Sequence, residues 1–65
     1  MICLRQEREK KKMGQLELAR RSGVSQQAIS LIESGERKNV GVETLYALAK
    51  ALGCTLYDLY QPEES

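Results

Sequence analysis

Apolar residues in this chain recur at three- and four-residue intervals, the spacing that lays a stripe along one side of a helix. The stripes predict a first helix over about Ile2 to Lys12, a second from Gln15 to Gly23 and a third from Gln26 to about Ser34. A fourth follows over Val42 to Leu52, and a short fifth over Leu56 to Tyr60. The residues between the stripes agree with these limits. Gly23 and Gly53 suit the left-handed residue that commonly closes a helix, and Ser25 and Thr55 are favoured N-caps. Asp58 stands where the acid of a capping box would reach back to Thr55. Residues 36–41, Glu-Arg-Lys-Asn-Val-Gly, have neither helical nor strand period and form a loop. The expected fold class is all-α, a compact five-helix bundle over residues 1–61 with a short acidic tail at 62–65.

At 65 residues the chain is one domain, near the lower limit for a core without staples, and extra burial in a dimer would help it. With no Phe and no Trp, the core must be aliphatic. The stripes nominate Leu4, Met13, Leu18, Ala19, Val24, Ile29, Ile32, Val42, Leu45, Leu48, Ala49, Leu52, Leu56 and Leu59. Such a core leaves no cavity for a cofactor, and none is expected.

The third helix is the most informative segment. At about 100° per residue, Gln26, Ser30, Ser34, Gln27 and Leu31 share one arc, while Ala28, Ile32, Ile29 and Glu33 share the other. One face is for packing and one is for reading. Gly23 turns the corner from the second helix, Val24 plugs it, and Ser25 caps the third helix so that two glutamines stand at its tip. A glutamine amide pairs with adenine N6 and N7 in a two-bonded geometry. Gln26, Gln27 and Ser30 are therefore candidate base contacts, with Leu31 at the edge of the arc a candidate for a thymine methyl. Gln15, at the start of the second helix among free backbone N–H groups, is a candidate phosphate contact, as is Ser25.

Residues 15–35 resemble the helix-turn-helix family of lambdoid phage repressors, their Cro-like relatives and related small bacterial regulators. The resemblance extends over almost the whole chain, through Leu4 and Arg8, Glu33-Ser34-Gly35, Val42-Glu43-Thr44-Leu45, Leu48-Ala49-Lys50-Ala51-Leu52-Gly53 and Leu56-Tyr57-Asp58-Leu59-Tyr60. It implies the lambda-repressor-like fold, with the second and third helices forming the helix-turn-helix. It also implies an ion pair between Arg8 and Glu33, whose role would be packing specificity more than raw stability. The loop at 36–41 would follow the DNA backbone, making Arg37, Lys38 and Asn39 candidate phosphate contacts. Gly14 departs from the family, which usually has Ser, Thr or Asn there. The first and last helices are neighbours in this fold, so distance alone does not forbid a Cys3–Cys54 disulfide, although two reduced thiols are the expected state.

The formal net charge of +1 looks unhelpful for a nucleic-acid binder, but its distribution changes the picture. Asp58, Glu63 and Glu64 lie in the last eight residues, leaving ten Lys and Arg against six Glu in the first 57, a charge of +4. Lys10-Lys11-Lys12 is read first as a solvated helix end that complements the helix dipole, with phosphate contact as the alternative. There is no His and no C-x-x-C pair, so no metal site is expected. No apolar run approaches the ~18 residues of a membrane span, and the first residues do not read as a signal peptide, so a cytoplasmic location is expected.

Three functional classes compete. The favoured one is a sequence-specific double-stranded-DNA binder that regulates transcription as a repressor or autoregulator. A protein-interaction module that keeps the fold without DNA is the second. The absence of carboxylates from the arc of Gln26, Gln27 and Ser30 speaks against it. An enzyme is the weakest, because no His, acid pair or phosphate loop offers a site. The expected partner of the favoured form is a palindromic operator bound by a homodimer. Leu56 and Leu59 facing inward turn Tyr57 outward, and Tyr57 and Tyr60 are the candidate interface.

Overall fold

The computed structural model describes residues 2–60, so Gln61 and the acidic tail at 62–65 lie outside the described residues. Five helices follow in order: α1 (Leu4–Lys10), α2 (Gln15–Ser22), α3 (Gln26–Ser34), α4 (Val42–Leu52) and α5 (Leu56–Leu59). α2 packs on α3 and α4, α4 packs on α5, and α1 closes the bundle against α3 and α5. Each helix contributes one almost completely buried side chain, Leu4, Leu18, Ile29, Leu48 and Leu59 respectively. Burial of each stabilises the fold by roughly 1.5–3 kcal/mol. Met13, Ile32, Ala49 and Leu52 complete the central cluster, and Ala19, Val24 and Leu56 pack partly buried against it. Leu45 is buried at its edge.

The helix ends follow from local chemistry. Ser25 Oγ accepts from the Ala28 N–H at 3.1 Å. Thr55 Oγ1 accepts from the Asp58 N–H at 3.2 Å, and Asp58 Oδ2 accepts the Thr55 N–H at 3.0 Å, a reciprocal capping box. The Thr55 hydroxyl also donates to Asp58 Oδ2, at 3.0 Å, and the Thr55 N–H and hydroxyl together hold the Asp58 carboxyl below its ordinary value, the backbone N–H contributing most. At Gly14, by contrast, no side chain caps α2. Its φ of −79° and ψ of 163° suit any L residue, and a Cβ there meets nothing within 4 Å. Gly14→Ser should therefore stabilise the fold by a few tenths to about 1 kcal/mol, through the added cap and the restricted unfolded chain. Thermal melts of the two proteins measure it.

Three expectations need correction. α1 is shorter than Ile2 to Lys12 at both ends. Ile2 is drawn into an isolated antiparallel bridge with Tyr60, and the Cys3 N–H donates to the Leu59 carbonyl at 2.6 Å, so the chain enters α1 from an extended pairing. At the other end Lys12 takes a left-handed φ of 54° and stops the helix before the glycine at 14. Tyr60 is likewise not helical but extended, with φ −109° and ψ 111°. Finally, Val42 is not a core residue: it is 70% exposed at the first position of α4, while Val40 just before the helix packs inward. Cys3 takes a core position that the stripes did not nominate, and Cys3 and Cys54 are both free thiols. Burial is the main cause that pushes the Cys54 thiol up.

Candidate nucleic-acid interface

The α2–α3 corner aims the candidate reading face. Gly23 sits at φ 77°, where a side chain would be strained, and its N–H closes α2 on the Ala19 carbonyl at 2.9 Å. Ser22 Oγ accepts the Val24 N–H at 3.1 Å, and Val24 packs against the core, fixing the entry to α3. Ile29 and Ile32 are the buried side of α3. Gln26, Gln27, Ser30 and Ser34 are exposed on the other side, and Leu31 is half-buried without joining the side chains that pack on the core. Ser34 has local work: its hydroxyl donates to the Leu31 carbonyl at 3.1 Å and accepts the Glu36 N–H at 3.4 Å.

Glu33 points away from this polar arc. Arg8 Nε donates to Glu33 Oε2 at 2.7 Å and a terminal nitrogen donates to Oε1 at 3.0 Å, a two-bonded fork. The other terminal nitrogen donates to the Met13 carbonyl at 2.8 Å. The two side chains are only 13% and 6% exposed, so the pair is largely removed from water. Burial works to raise the Glu33 carboxyl, but the hydrogen bonds from Arg8 and Gln15 outweigh it and hold the group below its ordinary value. The same hydrogen bond raises the Arg8 guanidinium.

Gln15 lies at the start of α2 and is half-buried, its Nε2 donating to Glu33 Oε1 at 2.9 Å. Helical patterning gave no sign of this contact, because it joins residues 18 positions apart. Beyond α3, the Arg37 N–H donates to the Leu31 carbonyl at 3.1 Å and ties the loop back onto the end of the helix. Arg37, Lys38 and Asn39 are all exposed in this loop. Lys10 belongs elsewhere: it donates to Glu7 at 2.9 Å. The Glu7 hydrogen bond is the main cause that raises its ammonium, with Asp58 of α5 adding a smaller pull.

Away from α3, an apolar groove runs along α4 and α5, lined by Val42, Leu45, Leu56, Tyr57 and Tyr60. All three tyrosines of the chain are exposed, Tyr46 by 58%, Tyr57 by 79% and Tyr60 by 51%. Tyr46 lines an adjoining groove that shares Leu56. Among the described residues, no helix is long and apolar enough to cross a membrane.

The helix-turn-helix family model matches residues 4–59 of this chain. The chain is also 46% identical over 57 residues to an uncharacterized HTH-type transcriptional regulator, y4dJ, of Sinorhizobium fredii, the match covering 88% of this chain and 73% of that protein. The family-model match begins with the first helix and ends with the last, so it takes in the capped α3, the glycine corner and the Arg8–Glu33 fork together. The chain belongs to the helix-turn-helix family of the lambda-repressor and Cro type, and its five helices are that family's fold.

Proposed function

We propose that the protein is a sequence-specific double-stranded-DNA-binding transcriptional regulator, a repressor or autoregulator, that reads the major groove with α3. The observation that carries this is the division of α3: Gln26, Gln27 and Ser30 stand exposed beyond a capped N-terminus while its one carboxylate is turned inward and neutralised. The y4dJ protein is described as a transcriptional regulator, which supports the same class. Gln26 and Gln27 choose bases, with adenine the favoured partner of at least one, and Ser30 and Leu31 extend the contact. Ser25, Gln15 and the 37–39 loop hold phosphates on either side of α3. Two copies, joined through Tyr57 and Tyr60, bind an imperfect palindrome in the cytoplasm.

Selection of bound sequences from random duplex DNA tests the class directly, and failure to enrich any sequence would sink it. Gln26→Ala and Gln27→Ala should each relax base preference at one position per half-site, with a loss of ~1–3 kcal/mol of discrimination there. If both variants keep the wild-type preference profile, α3 is not the reader.

Arg37→Ala and Lys38→Ala should behave differently. Each removes a contact to charge and not to sequence, so selected and random duplexes weaken alike. The log–log salt dependence should flatten by roughly one unit per contact. Binding titrations at several salt concentrations measure this, and weakening confined to the selected sequence contradicts the assignment.

A further inference from the structure

Gln15 is a candidate phosphate ligand whose side chain the fold has already half committed. Its Nε2 donates to Glu33 Oε1 at 2.9 Å. An ionised carboxylate only accepts, so this contact decides which end of the amide faces inward. The amide nitrogen carries two hydrogens, and Glu33 takes one. The second diverges from the first in the amide plane at a half-exposed position, on a helix start that no side chain caps. A bare carboxylate would be a poor neighbour for a phosphate. Here the Arg8 fork, at 2.7 and 3.0 Å, compensates its charge and fixes both oxygens, and the Arg8 bond to the Met13 carbonyl fixes Arg8 itself.

We propose that Glu33 is a positioning residue for DNA binding: by holding one amide hydrogen of Gln15, it presents the other to a backbone phosphate. This rests on the DNA-binding function proposed above. The side chains of Arg8, Glu33 and Gln15 connect α1, the end of α3 and the start of α2, so the phosphate donor is held in register with the reading helix. Ordering Gln15 before DNA arrives also lowers the entropy lost on binding.

The test uses the duplex obtained by selection, carrying single neutral methylphosphonates scanned along each strand. For the wild-type protein, neutralising the phosphate held by Gln15 should weaken binding about tenfold, the size of a hydrogen bond to a charged group. Gln15→Ala should abolish that sensitivity, and Glu33→Gln should reduce it to about two- or threefold. A Glu33→Gln protein that loses affinity equally on the charged and neutralised duplexes has lost only structure, and that result overturns the proposal. If Glu33→Gln does not fold, the wild-type protein still decides. With its side-chain amides labelled with 15N, DNA should shift the outward hydrogen of Gln15 and leave the hydrogen bonded to Glu33 in place; breakage of that bond on binding overturns the proposal. Failure of the DNA-binding function is distinct, since no sequence would be enriched, and it removes this proposal as well.

Discussion

Replacing Arg8 by methionine is expected to cost about 3 kcal/mol at neutral pH, because it leaves the Glu33 carboxylate buried without its partner. Net stabilities of about 0.05–0.15 kcal/mol per residue put a domain of this size at about 3–10 kcal/mol, so the loss brings the protein close to unfolding at room temperature. The sign of the pH dependence separates this cause from lost packing. In the wild-type protein the Glu33 carboxyl is lowered on folding. Its contribution is therefore fully present above the ordinary value of 4.5 and is lost as the pH falls through the lowered folded value. Without Arg8 the largest remaining influence is burial, which raises the group, so the variant recovers relative stability as acid protonates Glu33. Urea unfolding of both proteins, at neutral pH and below 4.5, should show the gap between them closing in acid; a gap independent of pH rules out the unpaired charge as its cause. The double variant Arg8→Met with Glu33→Met should return to within about 1 kcal/mol of wild type, as apolar replacements of buried ion pairs often do. It would nonetheless lose the acceptor that orients Gln15.

What could be read from the sequence divides along the range of the forces involved. Ser25, Gly23, Thr55 and Asp58 act on neighbours within four residues, so cap chemistry and helix spacing were sufficient to locate those ends. The five-helix bundle and its family follow from such local signals repeated along the chain. The start of α1 was not legible, because it is set by Leu59 and Tyr60 at the far end of the sequence. Its end was missed because Lys12 takes the left-handed turn that composition would assign to a glycine. Val42 was misplaced for a different reason. An apolar stripe specifies burial against something, but not whether the cover is the same chain. The candidate site shows the same division: the exposure of Gln26 and Gln27 follows from the wheel, whereas the Gln15–Glu33 bond depends on how α2 and α3 cross.

That distinction bears on the second large effect, expected from Tyr57→Asp. Val42, Tyr57 and Tyr60 expose apolar surface on α4 and α5 around Leu45 and Leu56; among the described residues no charged side chain lines the groove they form, and Lys38 borders the adjoining groove that shares Val42, Leu45 and Tyr60. A symmetric contact between two such faces is apolar at its centre, and tyrosine suits it because its ring is apolar while its hydroxyl tolerates water. Two α3 helices would then lie ~34–36 Å apart on one side of the duplex, with half-site centres about 10–10.5 bp apart or a multiple of that. Aspartate at position 57 would place two carboxylates in the seam, yet the 79% exposure of Tyr57 means that the folded monomer loses little. Linked binding of two half-sites gains a factor of roughly 10²–10⁴ over one. Tyr57→Asp should therefore weaken binding to the full palindrome by about 100-fold or more while leaving affinity for an isolated half-site unchanged. Sedimentation with and without the palindrome gives the stoichiometry alongside. Saturation at one protomer per operator, or an undisturbed dimer in the variant, would show that the α4–α5 face serves something other than a second copy of the chain.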